Sequence, residues 1–320
     1  MADYDVIIIG GGTAGFSAGM YSSRLGMKTL LVERLIPGGQ IINVELIEDY
    51  PGLPDGVSGA EFSSKIQEQA IASGTEFAMS EVTGIRKSGQ EWIVKTYEGE
   101  KSSKSIIVAG GSTLNKLNVP GESELAGAGV SYCATCDGAF FIDQKVCVVG
   151  GGDSALQEAI TLTEFASKID VFCRSNSLHA QQTLQDKITD HEKIQVHLNV
   201  EVQEIHGDRM VEGISLMKTI SGESTRVHID GVFIFVGLAP NTDYLQNILE
   251  TDENGHIKTD INLQTSEKGI FAAGDIRANS SSQLISSAGD GATAAVNSKK
   301  YISKERKINS NGPNISGITI

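Results

Sequence analysis

Cys133 and Cys136 stand in the segment Ser131-Tyr132-Cys133-Ala134-Thr135-Cys136-Asp137-Gly138, the only CxxC in the chain. Two intervening residues let the sulfurs reach each other in a reversible disulfide. The attacking species in such chemistry is a thiolate, which a nearby helix N-terminus or charge would tune. Asp137 directly follows the second cysteine and is placed to move protons. The competing reading is a structural zinc site, which needs two further ligands at suitable spacing. No second CxxC and no HxxxH exists, and His179, His191, His197, His206, His228 and His256 include no pair at metal spacing on one helix face. No metal site is assigned. Cys147 and Cys173 lie in apolar, strand-like runs and read as core residues.

A dithiol needs an electron source, and two further segments bear on it. Residues 6–19 read VIIIGGGTAGFSAG and residues 146–159 read VCVVGGGDSALQEA. Each is a short apolar run, a glycine turn and a helix-like segment, the order of a dinucleotide-binding unit. In the first, Gly10, Gly12 and Gly15 form GxGxxG. These glycines serve a tight turn, close approach to a pyrophosphate, and close helix packing. The phosphates would rest on the helix N-terminus with its free N–H groups. The next strand, Thr29–Val32, leads into Glu33, about 20 residues on, where a carboxylate accepts from a ribose hydroxyl. In the second copy Gly150, Gly152 and Ala155 hold the same positions. Two copies, each between strand and helix, carry much more weight than one.

These elements imply an α/β fold of two nested Rossmann-like domains. The apolar run Ser105–Val108 closes the first region, and Ile270–Ala273, ending in Gly274-Asp275, returns to it after the second glycine unit. Residues 1–114 and 243–320 are expected to form the outer domain and 115–242 an inserted one carrying the CxxC. The crossings are expected near Ser112–Leu117 and Gly237–Asn241, where Gly, Ser, Pro and Asn interrupt regular structure. At 320 residues the chain has the length of two domains.

The formal net charge of −14 argues against nucleic-acid binding, since phosphates would be repelled. No apolar run is long enough to span a bilayer. The N-terminus lacks a basic stretch followed by an apolar one, so no secretory signal is expected. Four cysteines in this length do not make a disulfide scaffold, and a reducing cytoplasmic setting is expected. Trp92 is expected to pack in the first domain. Lys299 to Lys307 reads as the end of a solvated C-terminal helix, with a surface for an acidic carrier as the alternative. Asn309–Ile320 is rich in turn formers and is expected to fray.

With these motifs in place, the sequence resembles the low-molecular-weight thioredoxin reductase family. The segments that carry the resemblance are GGGTAG at 10–15, GGQ at 38–40, YPG at 50–52, CATCDG at 133–138, GGGDSA at 150–155 and FAAGD at 271–275. They span nearly the whole chain. The resemblance implies a homodimer with FAD in the outer domain. It also implies an inner domain that rotates to bring either NADPH or the dithiol to the flavin. By the same resemblance Cys136 faces the flavin, Cys133 attacks the substrate disulfide and Asp137 is the acid. Gly39 and Gln40 lie near the flavin, Asp275 holds the ribityl and pyrophosphate region with Gly274 before it, and Gln283 contacts the isoalloxazine ring. The substrate implied is a thioredoxin-like protein disulfide.

Two departures concern the electron donor. Family members that use NADPH carry HRRxxxR after the second strand of the inner domain. Here that stretch is Cys173-Arg174-Ser175-Asn176-Ser177-Leu178-His179, and of the arginines only Arg174 remains. Each lost charge-assisted contact to the 2′-phosphate is worth roughly 1.5–3 kcal/mol. No Asp or Glu ends that strand to favour NADH. Near the flavin the family's Tyr-Arg-Gln is Ser281-Ser282-Gln283. The second dinucleotide therefore stays open among NADPH, NADH and a second FAD, and ferredoxin is an alternative donor. A flavin-dependent oxidase of small dithiols and a non-catalytic redox sensor are the competing functions.

Overall fold

The first apolar run becomes β1 (Tyr4–Ile9), whose side chains alternate between two buried layers. The computed structural model describes residues 2–246 and 248–310. The 311–320 part of the tail lies outside them. The chain divides into two units, Met1–Thr113 with Ala239–Ile320, and Leu114–Leu238.

In the first unit β1 pairs in parallel with β2 (Thr29–Glu33), and β2 with β3 (Glu76–Met79). On the other side of β1 lies β6 (Gly99–Val108), a long strand with two roles. Its first half pairs antiparallel with β5 (Glu91–Thr96), which in turn pairs with β4 (Val82–Ser88). Its second half pairs in parallel with β1 and with β17 (Ile270–Ala272). Strands buried on both faces read as continuous apolar runs. Val6, Ile8, Leu31, Ile107 and Phe271 face α1 (Thr13–Arg24) and α6 (Leu284–Ser310). Ile7, Ile9, Leu30, Val32 and Ile106 face the opposite layer, which holds Trp92 and Leu245. The two helices approach closely at Gly291, where a Cβ would lie 2.1 Å from the Ala14 carbonyl oxygen. The remaining helix, α2 (Gly59–Ala72), starts at Ser58, whose hydroxyl accepts from the Glu61 N–H. A short strand β7 (Ser112–Leu114) follows β6.

The second unit repeats the plan. Its parallel sheet runs β11–β10–β9–β15–β8, from β8 (Val130–Ser131), β9 (Lys145–Val149), β10 (Lys168–Cys173), β11 (Ile194–Leu198) and β15 (Gly231–Ile234). One face packs Val146, Val148, Ile169, Val171 and Phe233 against α4 (Asp153–Leu162), with α5 (Gln182–Thr189) beside it. The other face packs Cys147, Phe172 and Val232 against a three-stranded antiparallel sheet. That sheet is β12 (Val200–His206), β13 (Gly213–Lys218) and β14 (Ser224–Val227). A four-residue helix, α3 (Ala134–Asp137), carries the cysteines, and β16 (Leu238–Pro240) follows β15. Cys147 is fully enclosed, and burial pushes its thiol well above the usual range, as suits a core residue.

Candidate active site

In the first unit the glycine turn sits at the carboxyl end of β1. Gly10 adopts φ +107°, and a Cβ there would lie 2.3 Å from the Ala109 carbonyl oxygen. Gly15 packs its helix onto the same turn, since a Cβ would meet the Gly10 carbonyl oxygen at 1.8 Å. Gly12 is different, because only one atom lies within 4 Å of its would-be Cβ, at the 4.0 Å limit. It is the N-cap of α1 and supplies no side-chain acceptor. The first N–H groups of that helix are therefore left to a ligand. The Thr13 hydroxyl in the same turn is buried with no hydrogen-bond partner, and buried hydroxyls normally have one. An open glycine, an uncapped helix start and an orphaned hydroxyl all fit a bound pyrophosphate.

Other expected residues converge on this turn. The Glu33 carboxylate accepts from the Gly11 N–H at 2.6 Å and the Leu35 N–H at 2.8 Å. Each carboxylate oxygen keeps a lone pair for a ribose hydroxyl. The loop with Gly38, Gly39 and Gln40 lies beside the turn, with the Gly38 N–H donating to the Gly11 carbonyl at 2.8 Å. Gln40 Nε2 donates to the Ser112 carbonyl, and Ser112 Oγ to the Asp275 carbonyl. Asp275 Oδ1 accepts from Ser280 at 2.8 Å and from Ser287 at 3.4 Å. Gly274 lies against Ala14 of α1, and its N–H donates to Asp290. Asp290 also holds Arg277 through two oxygens, at 2.6 and 3.0 Å. This fork braces the turn that presents Asp275, and the sequence reading did not single it out. Two charged residues in a stretch otherwise rich in Ala, Gly and Ser were the available signal. Gln283 immediately precedes α6, and its carbonyl accepts from Ser286 Oγ.

In the second unit Gly150 (φ +149°) abuts Ala155, which is fully buried on α4. Gly152 has open space where a Cβ would point and caps α4 without a side-chain acceptor. The two glycine turns differ at one informative place. Gly11 lies against Glu33, whereas Gly151 lies against Cys173, whose Sγ would be 2.5 Å from a Cβ there. The carboxylate that ends the second strand of the first unit is thus a thiol in the second. Arg174 follows, exposed, and His179 returns to the turn only through its N–H, which donates to the Gly151 carbonyl.

The dithiol occupies the carboxyl end of the same sheet, where functional groups of such sheets collect. Strand β8 pairs with β15 through Ser131 and Phe233 and delivers Cys133 to the start of α3. Cys133 and Cys136 form a disulfide, with Cα atoms 5.3 Å apart. Cys133 is half-buried and Cys136 exposed. Three side chains outside the motif hold it. Ser131 Oγ donates to Asp137 Oδ2 at 2.7 Å and accepts from the Cys133 N–H at 3.1 Å. Glu158 of α4 accepts from the Ala134 N–H at 2.6 Å. Glu122, only 1% exposed, accepts from the N–H groups of Leu117 and Asn118 and from the Tyr132 hydroxyl. Burial, and then that hydrogen bond, push the Tyr132 hydroxyl far above its usual range. None of these three supports has a sequence signature, because each partner is fixed by the fold. Among the described residues no group of three or more His, Cys, Asp and Glu side chains could hold a metal.

Residues 4–296 match the model of the pyridine nucleotide-disulphide oxidoreductase family. The chain is 43% identical to the thioredoxin reductase of Bacillus subtilis over 300 residues, covering 93% of this chain and 95% of that one. It is 44% identical to that of Listeria monocytogenes over 302 residues, covering 93% and 94%. The fold matches the crystal structure of Lactococcus lactis thioredoxin reductase with a TM-score of 0.92 and 42% identity, covering 94% of this chain and all of that one. With two glycine turns of this geometry and a CxxC disulfide at a sheet's carboxyl end, the chain belongs to the pyridine nucleotide-disulphide oxidoreductase family, on its low-molecular-weight thioredoxin reductase branch.

Proposed function

We propose that the protein is a flavin-dependent disulfide reductase that acts on a thioredoxin-like protein. The Cys133–Cys136 disulfide next to a held carboxylate, Asp137, is the observation that carries this reading. The first unit fits FAD: Gly10, Gly12 and Gly15 around the pyrophosphate, Glu33 at the ribose, and Gly39, Gln40, Gly274, Asp275 and Gln283 toward the ring system. Bound there, FAD supplies a carrier of two electrons for the dithiol. The chain's own residues do the rest. The Cys133 thiolate attacks the partner's disulfide, Asp137 gives a proton to the sulfur that leaves, and Cys136 displaces the partner from the mixed disulfide. Attack by Cys133 and resolution by Cys136 regenerate the disulfide seen here and leave the partner with two thiols.

The second unit keeps Gly150, Gly152 and Ala155 for a dinucleotide, and Arg174 is the cation left for a 2′-phosphate. That single arginine supports a donor without the phosphate, either a nucleotide such as NADH or a second FAD, or ferredoxin in place of a nucleotide. Association as a homodimer and a cytoplasmic location complete the reading. No helix among the described residues is long and apolar enough to cross a membrane.

The test is an anaerobic dithionite titration of purified protein with its released cofactor identified. Flavin and dithiol are separate two-electron couples, so the wild type takes up two more electrons per chain than Cys136→Ser. Equal uptake by the two proteins overturns the assignment of the dithiol as a redox couple.

A further inference from the structure

Asp137 is only as useful an acid as its orientation allows, and that orientation is set by one buried hydroxyl. Ser131 is 4% exposed and ends β8, so its backbone is fixed by the ladder to β15. Its oxygen sits at a branch point. It accepts from the Cys133 N–H at 3.1 Å, and its single proton has two acceptors, Asp137 Oδ2 at 2.7 Å and the Cys133 carbonyl at 3.2 Å. A serine hydroxyl offers one donor and two acceptor sites, and a hydrogen bond to an ionised group is about twice as strong as one between neutral groups. The shorter contact, to the carboxylate, therefore takes the proton whenever Asp137 is charged.

We propose that Ser131 is a positioning residue for the disulfide exchange: by occupying Asp137 Oδ2 it directs uptake and release of the proton to Oδ1, while its link to Cys133 keeps acid and sulfur in register. The proposal rests on the reading of the CxxC as the redox centre. During exchange one S–S bond forms as another breaks, and the proton leaving Asp137 Oδ1 ends on the displaced sulfur. The serine exchanges no atom with the substrate.

The experiment uses the full-length flavoprotein as wild type, Ser131→Ala, Ser131→Thr, Asp137→Asn and the double variant Ser131→Ala/Asp137→Asn. Two probes are used anaerobically across pH. One is oxidised thioredoxin mixed with the photoreduced protein. The other is dithiothreitol, which reduces Cys133–Cys136 while closing to its own cyclic disulfide and makes no assumption about the natural substrate. Rates are read by alkylating new thiols and counting them by mass.

Expected with dithiothreitol are a roughly tenfold loss in Ser131→Ala with an altered pH profile, near-normal rate and profile in Ser131→Thr, and a double variant no slower than Asp137→Asn. Additive losses in the double variant, or a Ser131→Ala loss that is the same at every pH, would mean that the hydroxyl only supports the fold, and would overturn the proposal. An unchanged Ser131→Ala would do the same. A wild type that reacts with dithiothreitol but not with thioredoxin contradicts the substrate reading, and the dithiothreitol series still decides the role of Ser131.

Discussion

Cys133 and Cys136 share one bond but are held differently. Cys133 is half-buried, and its Sγ accepts from the Cys136 N–H, while Cys136 is exposed. If Cys133 attacks and Cys136 resolves, removing the resolving sulfur leaves the attack intact. Cys136→Ser is expected to accumulate a covalent adduct with oxidised thioredoxin, visible on a non-reducing gel and cleared by dithiothreitol. Cys133→Ser is expected to form none, and an adduct on Cys133→Ser alone would reverse the two roles. At this scale the sequence was informative where chemistry sits in a contiguous motif. The CxxC with Asp137 and the glycines of both turns are legible because their spacing is their function. Ser131, Glu122 and Glu158 were not, because each matters through a partner that only the folded chain brings near. Glu158, for instance, reaches Ala134 from a different helix.

Both glycine turns are strand–turn–helix elements whose fit depends on missing side chains. Gly15→Ala places a methyl group 1.8 Å from the Gly10 carbonyl oxygen, and that atom is backbone. The helix must move off the turn, so the variant is expected to purify with little flavin and to lose about 1–3 kcal/mol of stability, as overpacked sites do. Flavin-to-protein absorbance and thermal unfolding measure both effects. Full flavin content in Gly15→Ala would contradict the assigned turn. At the opposite end of the inner sheet, Asp170 is 3% exposed and meets His197 at 3.0 Å, Lys145 at 3.0 Å and Lys168 at 3.7 Å. Burial alone would raise this carboxyl; the hydrogen bonds from His197 and Lys145 outweigh it and hold it below the usual range. A carboxyl lowered on folding stabilises above its unfolded value and loses that contribution as pH falls through the folded one. Asp170→Asn is therefore expected to be less stable than wild type at pH 7, with the gap closing below about pH 4. A gap constant with pH would show that packing, not charge, sets the difference. Strands β1, β2, β9 and β17 were legible as apolar runs bounded by glycine. The double pairing of β6 and the three-stranded sheet β12–β14 were not, since strand partners are chosen by long-range burial.

Across the whole molecule the internal repeat explains what the chain retains and what it has changed. Both units keep an open glycine at an uncapped helix start, Gly12 and Gly152. The first unit ends its second strand in Glu33, the second in Cys173 followed by exposed Arg174. A 2′-phosphate facing one arginine loses charge-assisted contacts worth roughly 1.5–3 kcal/mol each. An anaerobic titration followed by flavin absorbance is expected to show poor bleaching with NADPH, while dithionite bleaches fully. Stoichiometric bleaching by low NADPH would show that Arg174 suffices. The central claim is transfer from flavin through Cys133 and Cys136 to a protein disulfide, and its most direct test is one anaerobic mixing experiment. Photoreduced protein is combined with oxidised thioredoxin while flavin absorbance and thioredoxin thiols are followed together. The account predicts two thioredoxin thiols from the prereduced Cys133/Cys136 dithiol and two more for each flavin that reoxidises, and that both thiol formation and flavin reoxidation vanish in Cys133→Ser. Flavin that stays reduced beside thioredoxin and reoxidises only when oxygen is admitted would contradict it.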